Sequence, residues 1–345
     1  TASTTSKVVA IGHEALKSVN ATGANETVAI GHSALTALTS GASNTAIGYE
    51  ALKTVATEAQ SVAIGYQSMS ISSNSSNNTM VGYKSGYDLS AGSDNNTGIG
   101  HNALSGTHGA GASEKNTAIG SGSMVGAIDG AAHNTAVGYN TLAAVTSGDN
   151  NIAIGNNAGA ALTTPSANIF IGKNAGTANL TGSNNTVLGY NAMYRADGNA
   201  SATSDCIFIG SGAGSGAWEN YTSSNNTVIG TDAMNGALNG IAASVVIGHD
   251  AGQALTTGHN NVLIGASTNV GTATDASCVI IGKGNVSEGS NQTVIGVGSI
   301  WKMFSAEVTC NLGGTDENDP AHATPIGKIP HNACVVKAAV VMKTK

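Results

Sequence analysis

The sequence predicts an all-β protein, a parallel β-solenoid of about 17 turns followed by a small C-terminal β-domain. Three observations predict it. A short motif recurs along nearly the whole chain; glycine is abundant, at 47 of 345 residues; and only 10% of residues are charged. The motif is a β-branched residue, an apolar residue, then Ile, Val or Leu, then glycine, as in Asn44-Thr45-Ala46-Ile47-Gly48-Tyr49-Glu50-Ala51-Leu52. Its glycine falls at 12, 31, 48, 65, 82, 100, 120, 138, 155, 172, 189, 210, 230, 248, 265, 282 and 296, a base period of 17 residues with a few short insertions. That period is too short for helical-hairpin or leucine-rich repeats, and it fits one turn of a β-solenoid stacking at about 4.8 Å.

Composition excludes several other classes. There is no glycine at every third position, so no collagen helix. No apolar run is long enough to span a membrane as a helix, so no membrane insertion is expected. A net charge of -7 with a single arginine, Arg195, argues against a nucleic-acid partner. Hydrophobic content of 41% with so little charge argues against disorder.

The strand comes first within each turn. The residues three before and one before the glycine are β-branched or leucine in every copy, and they share one face. This face is assigned to the solenoid interior. The middle residue then faces outward, yet no copy is polar. A strand that is apolar on both faces is buried on both. The middle residues are therefore expected at an oligomer interface, with Ala46, Phe170, Phe208, Val228, Val246 and Ile280 as its candidates. Up to Ala153 they are alanine except for Met80 and Gly98, and from Phe170 on they are large, so the chains should lie closer to a shared axis in the first half.

The glycine ends the strand, with positive φ or a close backbone approach. Four residues before it stands asparagine in ten copies, a residue suited to turns and, when stacked, to an amide ladder. Triplets such as Asn77-Asn78-Thr79 recur with the repeat, so the structural role is preferred to glycan attachment or calcium. Three and four residues after the glycine come a small residue and then Leu, Met or Gly. This reads as a second inward anchor, filled or vacated as the turn requires. The residue directly after the glycine is Tyr or His in nine of 17 copies. It is read as turn-to-turn or inter-chain stacking with polar tips in water, in preference to a glycan- or receptor-binding ladder. Its histidines could make assembly pH-sensitive.

At this point the run NTAIGYEAL resembles the NTAIGYxAL repeats of phage tail-fibre proteins and of some bacterial surface proteins. It is also similar to the NSVAIG repeats in the heads of YadA-like trimeric autotransporter adhesins. The resemblance covers roughly residues 8–300. It implies a left-handed β-roll and a homotrimer. The adhesin repeat is typically shorter, and no heptad stalk is visible here, which favours the viral fibre.

The chain divides into a solenoid domain, 1–300, and the start of a C-terminal β-domain, 301–345, which holds three of the four prolines. Its stretch around Ile326-Gly327-Lys328-Ile329-Pro330 resembles the opening of β-domains in phage structural proteins. The segment reads as incomplete within this chain, with Cys310 and Cys334 able to pair or to stay free. Cys206 and Cys278 stand at the asparagine position and are expected as buried thiols.

Chemistry-bearing motifs are absent: there is no Walker sequence, HExxH, GxSxG or CxxC. The acidic pairs Asp197 with Asp205 and Glu219 with Asp232 are read as solvated loop charges rather than a glycosidase dyad. No enzyme activity, metal or cofactor is expected. The longest insertions carry Tyr194 and Arg195, then Trp218, Glu219 and Tyr221, residue types that dominate binding hot spots. These five are the receptor-binding candidates. The functional expectation is a virion-surface structural fibre, a phage tail or head fibre. Its expected partners are two further copies of itself, other virion proteins and a host cell-surface glycan or protein. The alternatives are a bacterial cell-surface adhesin of the trimeric autotransporter kind and, third, a glycan-cleaving tailspike.

Overall fold

The computed structural model describes residues 7–18, 24–106, 109, 111–177, 181–194, 203–216, 223–236 and 239–296, and the backbone of 301–304. Seventeen short strands, from β1 (Val9–Ile11) to β17 (Gln292–Ile295), stack in parallel in chain order, one per repeat. The described residues contain no helix. The register places each motif on the next, so that Thr45, Ala46 and Ile47 pair with Val62, Ala63 and Ile64. After the last turn the ladder reverses: β18 (Trp301–Phe304) pairs with β17 antiparallel. The remainder of the expected C-terminal β-domain, with Cys310 and Cys334, lies outside the described residues.

Each turn offers hydrogen bonds upward and downward along the stack. The Thr45 and Leu52 amides donate to Ser61 and Ser68 in the following turn, at 2.9 and 3.0 Å. The Gly48 and Glu50 amides donate to Ile30 and His32 in the preceding turn, at 2.8 and 2.9 Å. A turn this short needs sharp corners. Residues such as Ser43 (φ 63°), Glu50 (φ 54°) and Leu52 (φ 49°) sit in the left-handed region, and equivalent positions repeat the pattern. That conformation costs a non-glycine residue about 1 kcal/mol or more. Gly48 is more demanding, because its φ of 138° lies outside what other residues adopt, and a Cβ there would fall on the Gly65 carbonyl.

The expected assignment of strand faces is reversed. The middle residues Ala46, Phe170, Phe208, Val228, Val246 and Ile280 are fully buried in the core of the single chain, and the flanking residues point outward. The six interface candidates are therefore core residues with no side chain left to present to another copy. The expected narrowing of a shared axis falls with them.

The change from small to large middle residues has a different cause. The residue four after the glycine faces the middle residue of its own turn, and the two exchange volume. Ala29, Ala46 and Ala136 are matched by Leu35, Leu52 and Leu142. Met80, Phe170 and Phe208 are matched by Gly86, Gly176 and Gly214, where any Cβ would strike that same Met or Phe side chain. Turns holding Val187 and Val228 use Met193 and Met234. Close packing at constant cross-section produces this exchange.

The asparagines form the expected ladder, and it is buried. Asn151 Nδ2 donates to Asn134 Oδ1 at 3.0 Å and to the Pro165 carbonyl at 2.8 Å. Asn151 Oδ1 accepts the Asn168 amide at 3.1 Å and Asn168 Nδ2 at 3.0 Å. Cys206 and Cys278 replace asparagine in two turns as buried free thiols. Burial pushes the Cys206 thiol up to about 11, which leaves it unreactive near neutrality. Replacing Asn151 by Ala would orphan two buried groups, the Pro165 carbonyl and the Asn168 backbone amide, at about 1–3 kcal/mol each, and would remove one of the bonds made by Asn134 Oδ1 and by Asn168 Nδ2. The expected loss is on the order of 3 kcal/mol, read as a lower urea midpoint with an unchanged slope; a shift within error would mean that the ladder is not stabilising.

Candidate functional site

The alternation of the strand turns three columns outward: the residues three before, one before and one after the glycine. The first two columns are almost wholly β-branched and run the length of the stack. Most of their members are half-buried. Others are exposed, including Ile99 (38%), Ile119 (37%), Ile154 (39%) and Ile295 (44%). Threonine is common in the first column up to Thr135, and Ile and Val dominate from Ile152 on, so the face becomes more apolar toward the later turns.

The third column is an aromatic stack. His13, His32, Tyr49, Tyr66, Tyr83 and His101 lie ring on ring in consecutive turns, with centroids 5.0 to 5.3 Å apart and planes within 21° of parallel. The expected turn-to-turn stacking is thus present. The rings cover each other's faces and leave their edges to solvent, with Tyr49, Tyr66 and Tyr83 each more than 40% exposed. A sugar ring laid on an aromatic face would find access only at the ends of this column. Tyr139 and Tyr190 belong to the same column but have no ring stacked on them, because Ser121, Asn156, Lys173 and Ser211 occupy the positions next to them; the Lys173 ammonium lies 5.9 Å from the Tyr190 ring centroid.

Beside the stack runs a polar ridge. Glu50 holds Lys53 at 2.7 Å and accepts Gln67 Nε2 at 2.8 Å. The Lys53 hydrogen bond, followed by that of Gln67, keeps the Glu50 carboxyl below its ordinary range. The Glu50 charge in turn raises the Tyr49 phenol. The Lys84 ammonium lies 4.9 Å from the Tyr87 ring centroid and 5.6 Å from that of Tyr83. Farther along, the ridge becomes an amide row, in which Asn174 Nδ2 donates to Asn191 Oδ1 at 2.9 Å.

Of the five receptor-binding candidates, Tyr194 is described and partly buried. Arg195, Trp218, Glu219 and Tyr221 lie outside the described residues, as do Asp197 and the rest of both insertions. Asp205 accepts Asn184 Nδ2 at 3.0 Å, and Asp232 accepts Asn235 Nδ2 at 3.4 Å, which fits surface loop charges. Among the described residues no group of three or more His, Cys, Asp or Glu could hold a metal ion, and no helix is long and apolar enough to cross a membrane.

Sequence reasoning missed the role of the flanking columns. A partial signal was present in this one sequence: in turns such as Ala46 with Leu52, Met80 with Gly86 and Phe208 with Gly214, a small residue at one position goes with a large one at the other, although Ala153 with Gly159 does not follow it.

No protein-family model matches the chain, and no curated protein matches it at a significant level.

Proposed function

We propose that this chain is the shaft of a structural fibre on a virus surface, a phage tail or head fibre, built as an elongated homotrimer. One observation carries the reading: a column of Ile, Val and Leu, beside a second column of Thr, Val and Ile, lies half-covered along the outer face of a rod. A continuous apolar face of that length is far beyond the patches that monomers leave in water, and it fits self-association. The same turns repeated along an axis supply length and stiffness rather than a catalytic cleft. The number three rests on the resemblance to trimeric adhesin heads. Other virion proteins would hold the ends, and the insertions around Tyr194 and Trp218 are the places for contact with a host glycan or protein.

Two measurements test this. Light scattering under native conditions is expected to give three times the chain mass; a monomer mass at micromolar concentration overturns the proposal. Replacing Ile119 and Ile154 together by Asp is expected to yield a folded monomer, because both side chains are already partly in water in the single chain. If that variant stays trimeric, this face is not the interface. Antibodies against the solenoid are expected to decorate the fibres of intact particles, and failure to bind any virion structure removes the viral assignment.

A further inference from the structure

We infer that Tyr49, Tyr66 and Tyr83 form a site for oxidative tyrosine–tyrosine cross-linking, which would join consecutive turns of the solenoid covalently. The inference rests on the stack itself and is independent of the fibre reading. The three phenol rings lie 5.1 and 5.3 Å apart, with planes within 9° of parallel. His32 and His101 close the two ends of this set at 5.3 and 5.0 Å. All three tyrosines expose more than 40% of their surface, so an oxidant can reach them without unfolding. The backbone register fixes each ring one turn from the next. Coupling requires the exposed rings to turn about their side-chain bonds until carbons ortho to the hydroxyls meet, starting from centroids already 5.1 and 5.3 Å apart. Two radicals formed in this column therefore meet each other before they meet a second molecule.

The chemistry balances with a peroxide as oxidant, activated by a haem peroxidase. Each phenol gives up its hydroxyl hydrogen atom. The two phenoxyl radicals join through their ortho carbons. The hydrogens on those carbons then move to the oxygens as the rings become aromatic again. Two tyrosines thus lose two hydrogens, and one hydrogen peroxide becomes two waters.

The test treats the full chain with horseradish peroxidase and hydrogen peroxide, then digests it with trypsin. Cleavage after Lys53 and Lys84 leaves Tyr66 and Tyr83 in one peptide, 54–84, and Tyr49 in the neighbouring peptide, 18–53. The expected products are peptide 54–84 lighter by two hydrogens and a covalent pair of 18–53 with 54–84, both with blue dityrosine fluorescence. On a denaturing gel the chain keeps its single-chain mass. Tyr66→Phe preserves the ring stack and is expected to abolish both products, whereas Tyr49→Phe abolishes only the inter-peptide pair. Tyr139, with Ser121 and Asn156 on either side, is the internal control and is expected to remain unlinked. Cross-links at Tyr139 as abundant as at Tyr66, products that join separate chains, or unchanged yield in Tyr66→Phe would each overturn the inference.

Discussion

Phe208→Ala is expected to destabilise the solenoid by about 3–5 kcal/mol, the usual cost of emptying a fully buried aromatic site. Gly214→Leu alone is expected to cost about 1–3 kcal/mol from overpacking, with a left-handed Leu adding about 1 kcal/mol. Their combination should cost much less than the sum. The double variant rebuilds in this turn the arrangement that Ala46 and Leu52 already use, with Leu52 in the same left-handed conformation at φ 49°. A coupling of about 3 kcal/mol, at the upper end for residues in contact, is expected from a double-mutant cycle in urea. If the two costs simply add, the volume exchange between strand and corner is not what sets the core.

Glu58 should make the protein less stable as pH rises. Its side chain is buried, and one carboxyl oxygen, Oε2, has no hydrogen-bond partner. The other, Oε1, accepts the Ser72 hydroxyl at 3.2 Å. Ser72 stands where neighbouring turns place Leu38, Val55 and Leu89, so this turn holds a polar pair in an apolar position. Burial pushes the Glu58 carboxyl up to about 7; hydrogen bonds from Ser75 and Ser72 oppose this, and the Asp94 charge adds to it. The unfolded chain ionises this group near 4.5. The folded state therefore holds the proton more tightly, and stability is unaffected below pH 4.5, falls between 4.5 and 7, and stays low above 7. At about 1.4 kcal/mol per pH unit the loss is on the order of 3 kcal/mol. Glu58→Gln should remove this slope and be more stable than the parent at pH 8. An equal pH slope in the variant would assign the dependence to other carboxyls.

The solenoid was legible in the sequence because each repeat states the same local rules. A three-residue strand with β-branched ends, a glycine held at φ 138°, and an asparagine before the strand leave few alternatives at a 17-residue period. The asparagine ladder and the stacking of Tyr49, Tyr66 and Tyr83 followed, because a fixed register puts like residues on like. The receptor-contact candidates rest on residue type and on their place in the longest insertions, and of these only Tyr194 falls where the structure is described.

The strand pattern by itself could not decide which face turns inward. In Thr45-Ala46-Ile47 both faces are apolar enough to be buried, and a period of two treats the two faces alike. A single turn has no interior; one arises only when the left-handed corners at Glu50 and Leu52 swing the chain back and bring Leu52 over Ala46. Tertiary closure therefore placed the small and aromatic middle residues in the core and left the Ile columns half in water. The sequence determined what repeats and how often, while the direction of the corners, a property of the closed turn, determined which side is the inside.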